Sequence, residues 1–189
     1  MTQDFSRRAL VAAAGALAAS PVLAQATAPP VDRRPRSHAL IGQRAPDFAL
    51  PKVGGGTARL SDYRGKTLVV EFWGLWCPDC LLDGPNVAAF ARAAALDPRL
   101  AFLAIHTRGR FGRYGSVEAY FRTHGWSYPV ALDDDSATYK AYQMQWVPGF
   151  LVIDRGGVAR GFSNDLVAGA GKGVAGFLQE VRAIAAARA

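Results

Sequence analysis

Residues 67–80 read TLVVEFWGLWCPDC, and the fold turns on this stretch. Thr67 to Trp73 is β-branched and aromatic, the composition of a buried central strand. From Pro78 onward the chain suits a helix, because Pro is tolerated in a first turn and an Ala-rich stretch runs to about Ala95. Asp97-Pro98 stops it. Cys77 and Cys80 therefore sit where a buried strand hands over to a helix. Two cysteines three apart in a first turn can close a small disulfide ring with little rearrangement. The first sulfur faces unpaired backbone N–H groups and the positive end of the helix dipole, which stabilise a thiolate. Cys77 is the expected attacking sulfur and Cys80 the resolving one. Half a zinc knuckle has the same spacing, but no second ligand pair accompanies it. A structural disulfide is the other alternative, and a loop this short makes a poor staple.

Working outward, Leu100 to His106 is a second apolar strand and Ser116 to His124 a helix ended by Gly125. Tyr128 to Leu132 is short and extended. Asp135 or Ser136 can cap a helix running to about Met144. Gly149 to Asp154 and Val158 to Phe162 flank the tight turn at Arg155-Gly156-Gly157 as an antiparallel pair. Lys172 to Ala187 closes the chain as a helix. Upstream, Ala45 to Leu50 is extended, and Gly54-Gly55-Gly56 turns it toward Ala58-Arg59-Leu60 as a short hairpin. The alternation predicts an α/β fold, a mixed central sheet covered by helices on both faces.

The whole chain has 189 residues, half of them apolar and 20% charged, which excludes a disordered chain or a bundle of membrane spans. Its formal charge of +7 admits nucleic acid or an acidic partner. Two cysteines provide neither a disulfide scaffold nor a four-cysteine zinc site, and His38, His106 and His124 share no metal-ligand pattern with them.

Residues 1–26 have the three-part layout of a secretory signal: Arg7 and Arg8, an uncharged run from Ala9 to Ala19, and the small-x-small site Ala24-Gln25-Ala26. Cleavage is expected after Ala26. Ser6 to Val11 also resembles the twin-arginine export motif. Pro21 and the Ala-rich run fall short of a membrane span. Residues 27–44 carry Pro29, Pro30 and Pro35 with Arg33, Arg34 and Arg36, which predicts a flexible, solvated tether ahead of a domain over 45–189.

Val69 to Cys80 resembles the active-site segment of the thioredoxin superfamily, and most of all the exported TlpA/ResA-like thiol–disulfide oxidoreductases. The resemblance runs from about Ala45 to Val181. It includes the Ala-Pro-Asp-Phe segment at Ala45, Leu60 to Lys66, and Trp146 to Gly157. It implies a thioredoxin-like fold with an added N-terminal β-hairpin. It also implies a cis bond at Val147-Pro148 beside the cysteines, and substrate contacts at Trp76, Pro78 and Val147. Glu71, six residues before Cys77, falls where thioredoxins hold a buried acid; many exported relatives carry an uncharged amide there. A raised pKa would suit proton exchange with Cys80. The alternative is a Glu on the solvent face of an edge strand. Asp83 matches a position where relatives often carry Glu, but as a first-turn helix acid it is expected to be solvated. Trp76 is expected to flank an exposed Cys77 sulfur and Trp73 to lie in the core.

The activity so implied is periplasmic thiol–disulfide exchange on protein substrates, in cytochrome c maturation or copper-site assembly. No cofactor or metal is implied. Client proteins and a membrane-bound electron donor are the implied partners, and the protein is expected to be a monomer. Asp79, between the cysteines, should disfavour the thiolate and push the pair toward a reducing character. A peroxiredoxin is the enzymatic rival, but its Pro-x-x-x-Thr/Ser-x-x-Cys setting is missing, with Val70 and Gly74 at the key positions. A Cu(I) metallochaperone using both thiolates is the non-enzymatic one. Arg108 to Gly115 mixes arginines with aromatics as some RNA-binding segments do. Its place after a core strand favours a solvated or partner-facing loop, with no nucleic acid bound. Gly169 to Gly173 fails the phosphate-loop pattern. Asp133 to Asp135 lacks calcium-loop spacing and more simply ends a strand and starts a helix. His106 reads as a satisfied core histidine.

Overall fold

The computed structural model describes residue 34 and residues 37–167 and 172–187. The expected signal over residues 1–26 and most of the Gly169 to Gly173 segment lie outside the described residues.

A two-stranded antiparallel hairpin, β1 (Ala49–Pro51) and β2 (Thr57–Arg59), precedes the central sheet. That sheet contains β3 (Thr67–Trp73), β4 (Leu100–Thr107), β5 (Val130–Asp133), β6 (Gly149–Ile153) and β7 (Ala159–Ser163), in the order β5-β4-β3-β6-β7. β3, β4 and β5 run parallel, while β6 and β7 are antiparallel additions, so the sheet is mixed. Among the described residues, four α-helices flank it: α1 (Pro78–Ala95), α2 (Val117–His124), α3 (Ala137–Ala141) and α4 (Gly173–Ala186).

All seven residues of β3 are buried, as a strand covered on both faces requires. Its alternating side chains divide the core. Val69 and Trp73 join Phe90 of α1, Tyr120 and Phe121 of α2 and Phe177 of α4 on one face. Leu68, Val70 and Phe72 join Phe48 and the α3 region through Tyr139 and Tyr142 on the other. Glu71 shares the parity of Val69 and Trp73 and so belongs to the α1 face. The β3 register pairs Phe72 with Gly149 and Trp73 with His106. The start of β6 therefore lies beside the end of β3, where the cysteines follow.

Two expectations are corrected. Residues 38–44 are not a solvated tether. Leu40 is only 3% exposed, and the Gly42 N–H donates to the Ala159 carbonyl while the Ala159 N–H donates to Gln43. The open edge of β7 offers unpaired backbone groups, and an apolar anchor holds the segment against them. The helix after β5 also stops at Ala141, short of Met144. Of the two expected caps, Asp135 accepts the Ala137 N–H at 2.9 Å and Ser136 caps nothing, while the Asp133 carboxylate accepts from the N–H groups of Thr138 and Tyr139. The Ser136 hydroxyl oxygen instead accepts from the Thr107 hydroxyl.

Candidate active site

Cys77 is the N-cap of α1, with extended backbone (φ −102°, ψ 111°), and Pro78 is the exposed first helical residue. The Cys77 sulfur accepts the Cys80 N–H at 3.2 Å. The helix thus directs an unpaired amide onto that sulfur, as its place in the first turn dictates. Cys77 and Cys80 form a disulfide with Cα atoms 5.3 Å apart. The expected exposure of Cys77 is small in this oxidised form: it is 5% exposed and Cys80 3%. Val147 brings its carbonyl oxygen 3.5 Å from the Cys77 sulfur, and the Val147–Pro148 bond is cis.

The turn between β3 and α1 is held from β4. His106, fully buried at the end of that strand, accepts the Leu75 N–H on Nε2 at 3.1 Å. This bond fixes a neutral ring protonated on Nδ1. Burial lowers the His106 pKa to about 4, so the ring keeps its acceptor at neutral pH. Phe111 stacks on it at 4.9 Å, and Trp73 meets it edge-on. Sequence reading gave His106 no part in the site. The available signal was its position, one residue from the end of the strand beside β3.

Trp76 is half-buried next to Cys77 and donates its indole N–H to the Thr107 carbonyl at 3.0 Å. Its ring lies over Gly74, where a Cβ would come within 2.3 Å of the indole nitrogen. Any larger residue would displace the tryptophan.

Two carboxylates lie beneath the helix. Glu71 is 2% exposed on the central strand, which removes the edge-strand alternative. Its Oε2 has no hydrogen-bonding partner among the described residues. Burial, reinforced by the nearby Asp83, pushes its pKa well above the ordinary carboxylate range. Such a group holds a proton where an ordinary Glu has lost it. Asp83 is corrected: it is 1% exposed rather than solvated, because α1 turns it inward. It accepts from Asn86 Nδ2 and from the Leu166 N–H at 2.8 Å. Burial raises its pKa against those two bonds. Tyr120 and Tyr128 complete the surroundings, with Tyr120 pushed up to about 12 chiefly by burial and Tyr128 upward for the same reason.

The sequence matches the AhpC/TSA family over residues 41–161, which takes in both cysteines, Glu71, Asp83 and Pro148. The chain belongs to that family. This AhpC/TSA protein is 31% identical over 128 residues to the thiol-disulfide oxidoreductase ResA of Geobacillus kaustophilus, covering 62% of this chain and 65% of the relative. It is 27% identical over 128 residues to ResA of Bacillus subtilis, covering 63% and 65%. The matches thus span just under two thirds of the ResA proteins' length. A thioredoxin-family thiol:disulfide interchange protein from Chlorobium tepidum shares its fold, with a TM-score of 0.61 at 24% identity over 75% of this chain and 95% of the other. The AhpC/TSA protein is therefore similar in sequence to ResA and has a thioredoxin-like fold. No helix among the described residues is long and apolar enough to cross a membrane.

Proposed function

We propose that this protein is a thiol–disulfide oxidoreductase of the periplasm that reduces disulfides in client proteins through Cys77 and Cys80. The observation that carries the reading is the Cys77–Cys80 disulfide in the first turn of α1, the helix that packs on the sheet face to which the buried Glu71 belongs. In the reduced protein the Cys77 thiolate attacks a client disulfide. One client sulfur leaves as a thiolate and the other joins Cys77 in a mixed disulfide. Cys80 then loses its proton and attacks the Cys77 sulfur. The second client thiol is released and the Cys77–Cys80 bond reforms. Two electrons pass to the client, and a membrane-bound dithiol donor returns them.

Glu71 is the proposed proton partner of Cys80, since its raised pKa lets it hold a proton that an ordinary Glu would have lost. The Val147 carbonyl, Pro148 and Trp76 would line the client's docking position, and the exposed Pro78 would border it. Cytochrome c maturation and copper-site assembly are the proposed physiological settings, because both need client thiols kept reduced. The peroxidase alternative is not favoured: both cysteines lie within one helical turn, and the peroxidatic setting is missing at Val70 and Gly74.

Trapping tests the division of labour. Cys80→Ser should accumulate client proteins as mixed disulfides through Cys77, whereas Cys77→Ser should trap few or none. Equal trapping by both variants removes the assigned roles.

A further inference from the structure

The loop that follows β4 holds a cation where a client would dock. Arg108 has left-handed backbone, φ 70°, which is uncommon and costly for a residue with a side chain. Its own N–H is tied to the Asp133 carbonyl at 3.2 Å. In this conformation the guanidinium lies 4.6 Å from the centre of the Trp76 ring. Arg108 is nonetheless exposed. A guanidinium has five N–H donors, so several remain for a ligand in an orientation already set by the ring. The rest of the loop is fixed to the same turn. Phe111 stacks on His106, and a Cβ at Gly112 would lie 3.8 Å from the Leu75 carbonyl. Arg110 and Arg113 are exposed on it, with Arg113 bonded to the Tyr114 hydroxyl.

We propose that Arg108 makes this rim selective for extended client segments that carry an Asp or Glu beside the target cysteine. A carboxylate accepts from a guanidinium in bidentate fashion, and the Trp76 stack has already removed much of the side chain's freedom. Asp79 and Asp134 also border this surface: Asp79 lies between the cysteines, and the Asp134 side chain packs against Gly109. The selectivity therefore comes from where one guanidinium is held, not from an excess of positive charge. This inference rests on the thiol–disulfide reading and names the substrate class for that site.

The test uses the reduced protein and three synthetic disulfide peptides that differ only beside the cysteine: Glu, Ser or Lys. Rates are followed by tryptophan fluorescence. At ~10 mM ionic strength, where screening extends over ~30 Å, the Glu peptide should be reduced about tenfold faster than the Lys peptide. That ratio should shrink near ~1 M salt. Arg108→Gln should bring it within about twofold. Arg108→Lys, which keeps the charge but loses the planar fork, should fall between. Arg110→Gln should leave most of the preference in place. Equal rates for the Glu and Lys peptides, or an Arg110→Gln effect as large as that of Arg108→Gln, overturns the proposal. Failure to reduce any of the three peptides would instead sink the thiol–disulfide reading itself.

Discussion

Asp79 and Glu71 are two acids whose effects on the same dithiol come from opposite surroundings. Asp79 is exposed between the cysteines, where its charge opposes the Cys77 thiolate. Oxidising power in such a pair comes from stabilising that thiolate in the reduced form. Asp79→Asn should therefore raise the reduction potential, with each ~1.4 kcal/mol of relief worth ~30 mV for a two-electron couple. Equilibration with glutathione reads it, and an unchanged or lower potential contradicts the role. Glu71 acts from the interior. Its folded-state pKa is raised above the ordinary 4.5, so both folded and unfolded states are protonated below that value and no penalty exists there. Above it the unfolded chain ionises first, and stability is lost as pH rises toward the folded pKa. Glu71→Gln should flatten that decline in denaturant titrations at pH above 4.5, leaving the smaller part due to Asp83. It should also slow mixed-disulfide resolution by about 100-fold. A pH slope equal to the parent's would show that the carboxyl is not carrying its proton.

At the scale of elements, α1 shows how packing overrides propensity. It contains Gly84 and Pro85 in its interior, both poor choices for a helix. Gly84 has a tertiary reason: a Cβ there would meet Trp126 at 2.5 Å and the Tyr120 hydroxyl at 3.2 Å. On propensity alone, Gly84→Ala gains about 1 kcal/mol. Forcing a methyl against the buried Tyr120 and the half-buried Trp126 costs ~1–3 kcal/mol. The expected result is a net loss of about 1 kcal/mol, seen as a fall in Tm of about 2–4 °C; a rise in Tm would mean that the rings move aside. The same lesson holds at α3. Its start was legible in the acidic run, and Asp135 does accept the first amide, but Asp133, the last residue of β5, takes the next two, those of Thr138 and Tyr139.

For the whole molecule, the boundary of the domain lies earlier than composition indicates. The Pro- and Arg-rich character of residues 27–44 favours a solvated chain, yet Leu40 is buried among Leu151, Ala159 and Phe162 on the α3 face of the sheet. Leu40→Ala should cost about 2–3 kcal/mol in thermal or denaturant unfolding, the range for truncating a buried aliphatic side chain. No loss of stability would mean that the segment does not contribute to the core. Arg34, further upstream, pairs with Asp165, one residue before the Leu166 amide that binds Asp83. The N-terminal segment and the buried acids of the site are therefore linked through the chain after β7.

The sequence by itself determined the strand-to-helix junction that carries the cysteines, because a β-branched run followed by Pro and an Ala-rich stretch are local signals. It also determined the strand and helix order from periodicity and turn residues. It placed Glu71 in the middle of an apolar strand, where only a buried or an edge position was open to it, and the central place of β3 decided between them. Only the tertiary structure decided what surrounds that junction. Asp83 is buried because α1 lies against the segment carrying Leu166, a contact 83 residues distant in the chain. His106 matters because parallel pairing of β4 with β3 sets it against the Leu75 turn. Arg108 reaches Trp76 only through a left-handed backbone held from β5. A carboxylate's burial, an imidazole's acceptor and a guanidinium's direction all depend on what is packed opposite, and residues remote in sequence supply it.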